Sequence, residues 1–244
     1  VLTSRDQGLE RGATVLYLSP TKALAADQRR RISELSVEGL RVATYDGDTP
    51  SAEREWVRSS ANIVLTTPDM LPPSMLPGQA RWASFLRRLR YVVIDELHHY
   101  RGLFGAHVAA VIRRLRRIAA RYGAYPTFVL ASATASDPEV TATRLTGVEC
   151  TAVTDDASPR GETVFALWEP PLTALHGEHD APVRRTAAAE VASLLTDLVI
   201  NDVRTLAFVR SRRGAEVVSL LARHALEDID SGLSRTVAAY RAGF

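Results

Sequence analysis

Two adjacent carboxylates, Asp95 and Glu96, are the residues of this sequence best suited to chemistry. They follow the apolar run 91–94 and precede Leu97 and His98. The β-branched residues of the run predict a buried parallel strand, and ligands of open α/β sheets bind at the carboxyl ends of strands. In phosphoryl transfer the first carboxylate would position Mg²⁺ through its water shell, and the second would orient or deprotonate the attacking water. The alternative is that two acidic residues simply open a loop, since short motifs also occur by chance.

The composition indicates a globular chain in a reducing compartment. The 244 residues exceed one average domain, and 46% of them are hydrophobic, enough for two modest cores. Because there is neither a run of about 18 apolar residues nor a signal-like start, we expect no membrane span and no secretion. Cys150 is the only cysteine, which excludes an internal disulfide. We therefore expect a cytoplasmic protein.

Lys22 is the only lysine of the chain, and every other side chain counted among its 30 lysines and arginines is arginine. A phosphate-binding P-loop needs Gly-x-x-x-x-Gly-Lys-Ser/Thr, because its backbone amides surround the phosphates and its lysine reaches the terminal ones. Lys22 follows Ser19-Pro20-Thr21 instead, so this sequence contains no P-loop. The net charge of +2 provides no acidic or basic tail that would indicate a partner.

Short apolar runs alternate with helical patterns in the first part of the chain. This alternation predicts an α/β fold in which helices flank a parallel sheet. The predicted strands are Thr14–Leu18, 42–45, Ile63–Thr66, 91–94 and 128–131. One predicted helix, over 20–37, carries Leu24, Ile32 and Leu35 on one face. Another, over 105–121, carries on one face Val108, Val111, Ile112, Leu115 and Ile118.

The pattern weakens between residues 154 and 185 into polar sequence with proline and glycine, which predicts a connection between two domains. A helix over 184–200, a strand over 205–209, a helix from Gly214 and a strand over 236–240 then predict that a second domain of alternating strands and helices begins. The predicted division is 1–153, 154–185 and 186–244.

Three further groups of residues have an ordinary structural interpretation. Arginines on the helix 105–121 are typical of a solvated face, with a nucleic-acid-binding stripe as the alternative. They are Arg113, Arg116, Arg117 and Arg121. His176, Glu178 and His179 are too few for a closed zinc site and are typical of a solvated loop. Ser132 lacks the Gly-x-Ser-x-Gly sequence of a hydrolase nucleophile.

Taken in order, these segments resemble the motor core of superfamily 2 helicases of the DExH type. Asp95-Glu96-Leu97-His98 resembles the Walker B box of that family, and Ser132-Ala133-Thr134, after the next strand, resembles its Ser-Ala-Thr motif. The resemblance implies a RecA-like motor domain that uses ATP and Mg²⁺. It implies that Asp95 holds Mg²⁺ through water and that Glu96 activates water. The remaining implied catalytic residues, which would link nucleotide state to domain movement, are His98, Ser132 and Thr134.

Two further segments resemble motifs with which the same family binds nucleic acid. They are Ser19-Pro20-Thr21-Lys22-Ala23-Leu24, similar to Pro-Thr-x-x-Leu, and Thr66-Thr67-Pro68-Asp69, similar to Thr-Pro-x. In each, a hydroxyl residue precedes proline directly after a strand, which predicts proline in the first helical turn and outward amides that can bind phosphate. Ordinary helix capping is the alternative. The implied contacts are Pro20, Thr21, Lys22, Thr67, Pro68 and Asp69.

Two more segments extend this resemblance. Gly47, in Asp46-Gly47-Asp48-Thr49, falls where the family has its backbone-contact glycine, and residues 206–213 resemble the motif that opens the second RecA-like domain. Arg210, Ser211 and Arg212 would then face the nucleic acid. Exposed arginines at the end of a strand are the alternative.

Residues 45–50, 94–102 and 208–212 are most similar to the bacterial and fungal branch of RecQ-like DExH helicases whose members carry a C-terminal cysteine-rich domain. This resemblance implies an ATP-dependent 3′-to-5′ DNA helicase of repair that acts on single-stranded or partly duplex DNA, with RNA left open. The alternatives are a non-catalytic nucleic-acid-binding remnant of a helicase and a double-stranded DNA translocase or restriction motor subunit.

The same resemblance places a P-loop before Val1, and an arginine-finger motif and the cysteine-rich domain after Phe244. We expect the isolated chain to be inactive, since an arginine finger alone contributes about 10³–10⁵ to the rate. We also expect an uncovered central position in the sheet and poor solubility of the isolated chain.

Overall fold

The structure, a computed structural model, describes residues 12–133, 136–155, 157–159 and 161–240. The chain divides into two compact units, Val1–Ala157 and Ser158–Phe244. No helix of the described residues is long and apolar enough to cross a membrane.

The first unit is built on a five-stranded parallel sheet in the order β2-β3-β1-β4-β5. Its strands are β1 Thr14–Leu18, β2 Val42–Thr44, β3 Ile63–Thr66, β4 Leu89–Ile94 and β5 Thr127–Leu130. Its helices are α1 Lys22–Glu34, α2 Ser51–Ser60, α3 Ala83–Leu86, α4 Gly102–Arg121 and α5 Pro138–Thr146. The predicted α/β class with a helix-flanked parallel sheet is therefore confirmed, and each predicted strand of this unit overlaps an observed one.

The core of the first unit includes residues of β1, β4 and α4. Leu16 and Leu18 of β1 and Ile94 of β4 are fully buried. The predicted apolar face of α4 is confirmed, because all five of its aliphatic residues are buried. The predicted face of α1 is only partly correct. Leu35 is 67% exposed, because α1 ends at Glu34 and leaves Leu35 at the C-cap.

The connections of the sheet place the ends of β1, β3 and β4 side by side. The chain moves from β1 in one direction to β2, and in the opposite direction from β2 through β3 to β4 and β5. Right-handed crossovers therefore place α1 on one face and the later connections on the other. Ligands of open sheets bind where neighbouring strands diverge in this way, which is beside the carboxyl end of β1.

The five strands pair without interruption, so the expectation of an uncovered central position is wrong for the described residues. The edges of the sheet are β2 and β5, and Val129 of β5 is 46% exposed. The sequence could not show this, because the order of strands in a sheet is not their order in the chain.

The second unit has a small core of its own, formed by Ala192, Val218, Ala222, Leu226 and Val237. Its helices are α6 Ala187–Ile200, α7 Arg212–Glu227 and α8 Ser231–Ser234, and its strands are β6 Leu172–His176 and β7 Pro182–Arg184. The two strands form an antiparallel pair inside the stretch predicted as a connection.

The strands predicted over 205–209 and 236–240 are absent from the described residues, and this prediction is wrong for the structure. A strand needs a neighbour for its N–H and C=O groups, and no described strand of this unit pairs with either segment. Leu206 and Phe208 are 85% and 91% exposed as a result.

The loop with two histidines in this unit forms no metal centre among the described residues. The Nδ1 atom of His176 lies 3.0 Å from the Oδ1 atom of Asp180, and both side chains are largely exposed.

Candidate active site

Asp95 stands directly after β4 with its carboxylate fixed on both oxygens. Its backbone N–H donates to the carbonyl of Leu18 over 2.9 Å. The Glu96 backbone N–H donates to Oδ1 over 2.9 Å, and the Tyr17 hydroxyl donates to Oδ2 over 2.8 Å. Each oxygen of a carboxylate can accept about two hydrogen bonds, so both oxygens can still accept a bond from a metal-bound water.

Glu96 turns the chain sharply away from the strand. Its backbone is left-handed, with φ 53° and ψ 51°, which costs a non-glycine residue about 1 kcal/mol or more. The turn brings the N–H of Leu97 to the carbonyl of Ala131, 2.8 Å away, while the N–H of Ala131 donates to Ile94 over 3.0 Å. The end of β4 and the segment after β5 are thereby joined by backbone hydrogen bonds.

His98 lies between the two predicted catalytic segments. Its Nδ1 atom is 3.2 Å from the Ser132 hydroxyl and 3.2 Å from Oε2 of Glu96. A neutral imidazole carries one proton, so whether Nδ1 donates or accepts a hydrogen bond depends on the tautomer. The structure thus brings together Glu96, His98 and Ser132. The remaining predicted catalytic residue, Thr134, lies outside the described residues.

Two tyrosines beside the carboxylates were missed by the sequence analysis. Burial raises the pKa of Tyr17, and its hydrogen bond to Asp95 raises it further. Burial also raises the pKa of Tyr100, with additional contributions from the negative charges of Asp95, Asp69 and Glu96. Both phenols therefore keep their protons at neutral pH. The Tyr100 hydroxyl is buried and has no hydrogen-bond partner among the described residues.

The donor atoms of this site suit a hard cation such as Mg²⁺. Carboxylate oxygens are its preferred protein ligands, and Mg²⁺ keeps several waters rather than entering a closed protein cage. The described residues contain no group of three or more metal-binding side chains. Asp95 and Glu96 supply such carboxylate oxygens.

The segment Pro20 to Lys22 leads into α1, and its lysine contacts the predicted glycine loop. Thr21 is the N-cap of α1, and its side chain accepts from the Leu24 N–H over 3.3 Å. Pro20 therefore precedes the cap, and the prediction that it lies in the first turn is wrong, because Thr21 rather than Ser19 caps the helix. The Lys22 Nζ atom lies 2.7 Å from Oδ2 of Asp48, with both side chains exposed.

Gly47 lies next to Lys22, in a turn that the side chains of Asp46 and Thr49 stabilise. Oδ1 of Asp46 accepts from the Asp48 N–H over 2.8 Å, and the Thr49 hydroxyl accepts from the Asp46 N–H over 2.8 Å. A Cβ added to Gly47 would lie 3.8 Å from the Lys22 Nζ atom, an ordinary contact. The structure thus brings together the first predicted nucleic-acid segment and this turn.

Thr67, Pro68 and Asp69 directly follow β3, at the carboxyl ends of the parallel strands. Pro68 is the first residue of the 3₁₀ helix Pro68–Met70, as predicted for this motif, and Asp69 is exposed. The helix is a single turn that continues into the π-helix Leu71–Met75.

Ser19 joins the ends of β1 and β3. Its backbone N–H donates to the carbonyl of Thr66 over 3.0 Å. Its hydroxyl is fully buried and has no hydrogen-bond partner among the described residues. The ends of the two strands that carry predicted nucleic-acid motifs are therefore adjacent.

Arg210, Ser211 and Arg212 lie at the start of α7 in the second unit. Ser211 is the N-cap, and its hydroxyl accepts from the Gly214 N–H over 3.0 Å. Arg210 and Arg212 are exposed. Helix capping accounts for Ser211, while the two arginines are available at the surface.

Two of the arginines on α4 have a structural role. Arg113 donates to the carbonyl of Arg144 over 2.8 Å, and Arg116 donates to the carbonyl of Gly147 over 2.9 Å. These carbonyls end α5, so the guanidinium groups satisfy a helix C-terminus. Arg117 and Arg121 are exposed, as expected of a solvated face.

Comparison with known proteins gives one family. The family model described as DEAD/DEAH box helicase matches residues 2–143. The chain is 41% identical over 233 residues to the uncharacterized ATP-dependent helicase YprA of Bacillus subtilis strain 168, covering 94% of this chain and 30% of that protein. It is 37% identical over 240 residues to the ATP-dependent helicase hrq1 of Schizosaccharomyces pombe, covering 95% of this chain and 22% of that protein.

Solved structures of similar sequence are also helicases. The DUF1998 helicase MrfA bound to DNA superposes with a TM-score of 0.84 at 40% identity, over 90% of this chain and 29% of that one. MrfA bound to DNA and AMPPNP superposes with a TM-score of 0.81 at 39% identity, over 93% of this chain and 30% of that one. The chain thus spans less than a third of the length of these relatives.

Proposed function

Because this chain belongs to the DEAD/DEAH box helicase family, we propose that it is part of an ATP-dependent DNA helicase. In this proposal ATP hydrolysis drives movement along single-stranded DNA. The observation that carries it is the pair Asp95 and Glu96 at the carboxyl edge of a parallel sheet, joined through His98 to Ser132. A nucleic-acid-binding module has no need of adjacent carboxylates at that position, whereas phosphoryl transfer does.

The chemistry assigns different tasks to the site residues. Asp95 would hold metal-bound water with its carboxylate oxygens, which accept hydrogen bonds from the Tyr17 hydroxyl and the Glu96 backbone N–H. Glu96 orients or deprotonates the attacking water. Mg²⁺, when bound, would neutralise charge on the phosphates of ATP. His98 and Ser132, with Thr134, would transmit the state of the nucleotide from the end of β4 to the segment after β5.

The nucleic-acid contacts in this proposal lie at the ends of β1, β2 and β3. Pro20 to Lys22, Gly47, and Thr67 to Asp69 would track the phosphates of a single strand, which supplies affinity without base specificity. Arg210 to Arg212 would add contacts from the second unit. DNA is proposed as the partner because MrfA, which is 40% identical, has been solved bound to DNA.

The finer assignments rest on the motif resemblance. We infer membership of the RecQ-like branch with a C-terminal cysteine-rich domain, 3′-to-5′ movement and a role in DNA repair. We also infer that residues 1–153 belong to the first RecA-like motor domain, 154–185 to the connection and 186–244 to the beginning of the second. Since the sequence contains no P-loop, we propose that the isolated chain does not measurably hydrolyse ATP.

The test replaces Glu96 with Gln in the full-length protein that contains this chain. Single-stranded DNA should stimulate ATP hydrolysis by the wild type. Glu96→Gln should lower the stimulated rate by about 10³-fold or more, because the attacking water loses its base, while DNA affinity stays within about twofold.

Glu149→Gln provides the matched control, since Glu149 is an exposed carboxylate outside the site. It should hydrolyse ATP like the wild type. A wild type whose hydrolysis is not stimulated by DNA, or a Glu96→Gln variant that keeps its rate, would contradict the proposed function.

A further inference from the structure

Tyr17 forms a hydrogen bond between two neighbouring strands. It lies in β1, which leads to the predicted nucleic-acid segment Pro20 to Lys22, and it contacts the carboxylate of Asp95 at the end of β4. Within β1 it is in register with Val93 of the parallel strand β4. Val93 and Asp95 are two residues apart and therefore lie on the same face of the sheet. An aromatic side chain can reach a diagonal neighbour of this kind, and the Tyr17 hydroxyl does so, 2.8 Å from Oδ2 of Asp95.

The hydrogen bond from Tyr17 comes to the Asp95 carboxylate from a side chain of another strand. The contact to Oδ1 comes from the adjacent residue, Glu96, and moves with the same turn. The contact between the Asp95 N–H and Leu18 fixes the backbone but leaves the side-chain torsions free. Without the Tyr17 hydroxyl, the carboxylate is held only by its own turn.

We propose that Tyr17 is a positioning residue that orients the Asp95 carboxylate toward metal-bound water. The inference rests on the proposed function, because it concerns the residue that holds the metal there. Partners that orient the ligands of a metal are worth about 10–100-fold in metal affinity or activity when removed. Tyr17 provides this orientation from β1, whose next residues lead into Pro20 to Lys22.

The experiment measures metal binding directly, in the full-length protein, with Mn²⁺ as the probe. Mn²⁺ is titrated in the presence of a non-hydrolysable ATP analogue, and free ion is followed by electron paramagnetic resonance. Tyr17→Phe keeps the ring and removes only the hydroxyl. It should weaken Mn²⁺ binding about tenfold and raise the Mg²⁺ concentration for half-maximal hydrolysis by a similar factor, while single-stranded DNA affinity stays within about twofold.

Tyr91→Phe is the matched control. Tyr91 lies in β4, is 37% exposed, and its hydroxyl makes no hydrogen bond to the described residues. This variant should bind Mn²⁺ like the wild type. All titrations are made well below the thermal midpoint of each variant, so that a change in stability does not enter the affinity.

A second variant shows whether Tyr17 acts through Asp95. In an Asp95→Asn background, Tyr17→Phe should weaken Mn²⁺ binding no further, because the carboxylate that it orients is gone. An equal loss in both backgrounds would overturn the inference, as would a Tyr17→Phe protein with Mn²⁺ affinity within about twofold of the wild type. Failure of the proposed function has a different signature, since the wild type itself would then bind no Mn²⁺ with the nucleotide.

Discussion

At the scale of single residues, hydroxyl groups determine how the carboxylates of the site are held. Tyr17 donates to Asp95, and Ser132 contacts His98, which also contacts Glu96. Tyr100 differs, because its hydroxyl is buried without a partner among the described residues. A buried polar group without a hydrogen bond costs stability, whereas a ring of the same shape without the hydroxyl does not.

Replacing Tyr100 with Phe should therefore leave the protein as stable or make it up to about 1 kcal/mol more stable. The measurement is the free energy of unfolding of the full-length protein by chemical denaturation. Tyr125→Phe, at an 81% exposed position, should change nothing. A loss of more than about 1 kcal/mol in Tyr100→Phe would show that the hydroxyl has a partner, such as a bound water.

At the scale of elements, side chains from one helix complete the end of another. The last turn of α5 closes at Gly147, which is left-handed with φ 72°. Arg116 of α4 donates to the carbonyls of Thr146 and Gly147 over 3.2 and 2.9 Å. Helix C-termini favour cations because their last carbonyls lack partners within the helix. The sequence pattern assigned the arginines of α4 to one solvated face. In the structure, two of them, Arg113 and Arg116, bind carbonyls at the end of α5, and the others are exposed.

Arg116→Ala should destabilise the first unit by about 1–2 kcal/mol, since the carbonyls of Thr146 and Gly147 lose a charged donor. Arg117→Ala, one position along the same helix and exposed, should cost less than about 0.5 kcal/mol. Chemical denaturation of the two variants makes the comparison. Equal losses would contradict the capping role of Arg116, and a selective loss of DNA binding in Arg116→Ala would favour the nucleic-acid stripe.

At the scale of the whole molecule, each unit leaves apolar groups uncovered. In the first unit, the edge strand β5 exposes Val129. In the second unit, residues 203–209 and 236–240 line a cavity of about 730 Å³ together with α6 and α7. Leu206, Phe208 and Tyr240 are 85%, 91% and 94% exposed there. Exposed apolar segments with unpaired backbone groups promote association between chains.

The isolated chain should consequently aggregate and unfold over a broad temperature range. Light scattering and thermal unfolding measure both properties. Replacing Leu206 and Phe208 together with Ser should reduce scattering, because both side chains are exposed in an unpaired segment. Leu103→Ser, at a 90% exposed position on α4, is the control and should have little effect. A sharp, cooperative transition of the unmodified chain would contradict this prediction.

Patterns of residues that are close in the sequence determined the helices and strands of the first unit and the position of the carboxylates. Alternation of short apolar runs with helical patterns predicted the strands of the first unit, and the periodicity of α4 predicted its buried face. Asp95 and Glu96 could be placed at a strand end because they directly follow an apolar run. These features depend on residues close in the chain, which is why a single sequence reveals them.

Only the tertiary structure decided which of these residues meet. Tyr17 and Asp95 are 78 positions apart, and His98 and Ser132 are 34 apart. Their contacts depend on strand order and register, which place β1 beside β4 and β4 beside β5. The apolar run 205–209 shows the converse, since its pattern predicts a strand but no described strand pairs with it. A sequence pattern shows that a segment can form a strand, but only the fold determines which strand pairs with it.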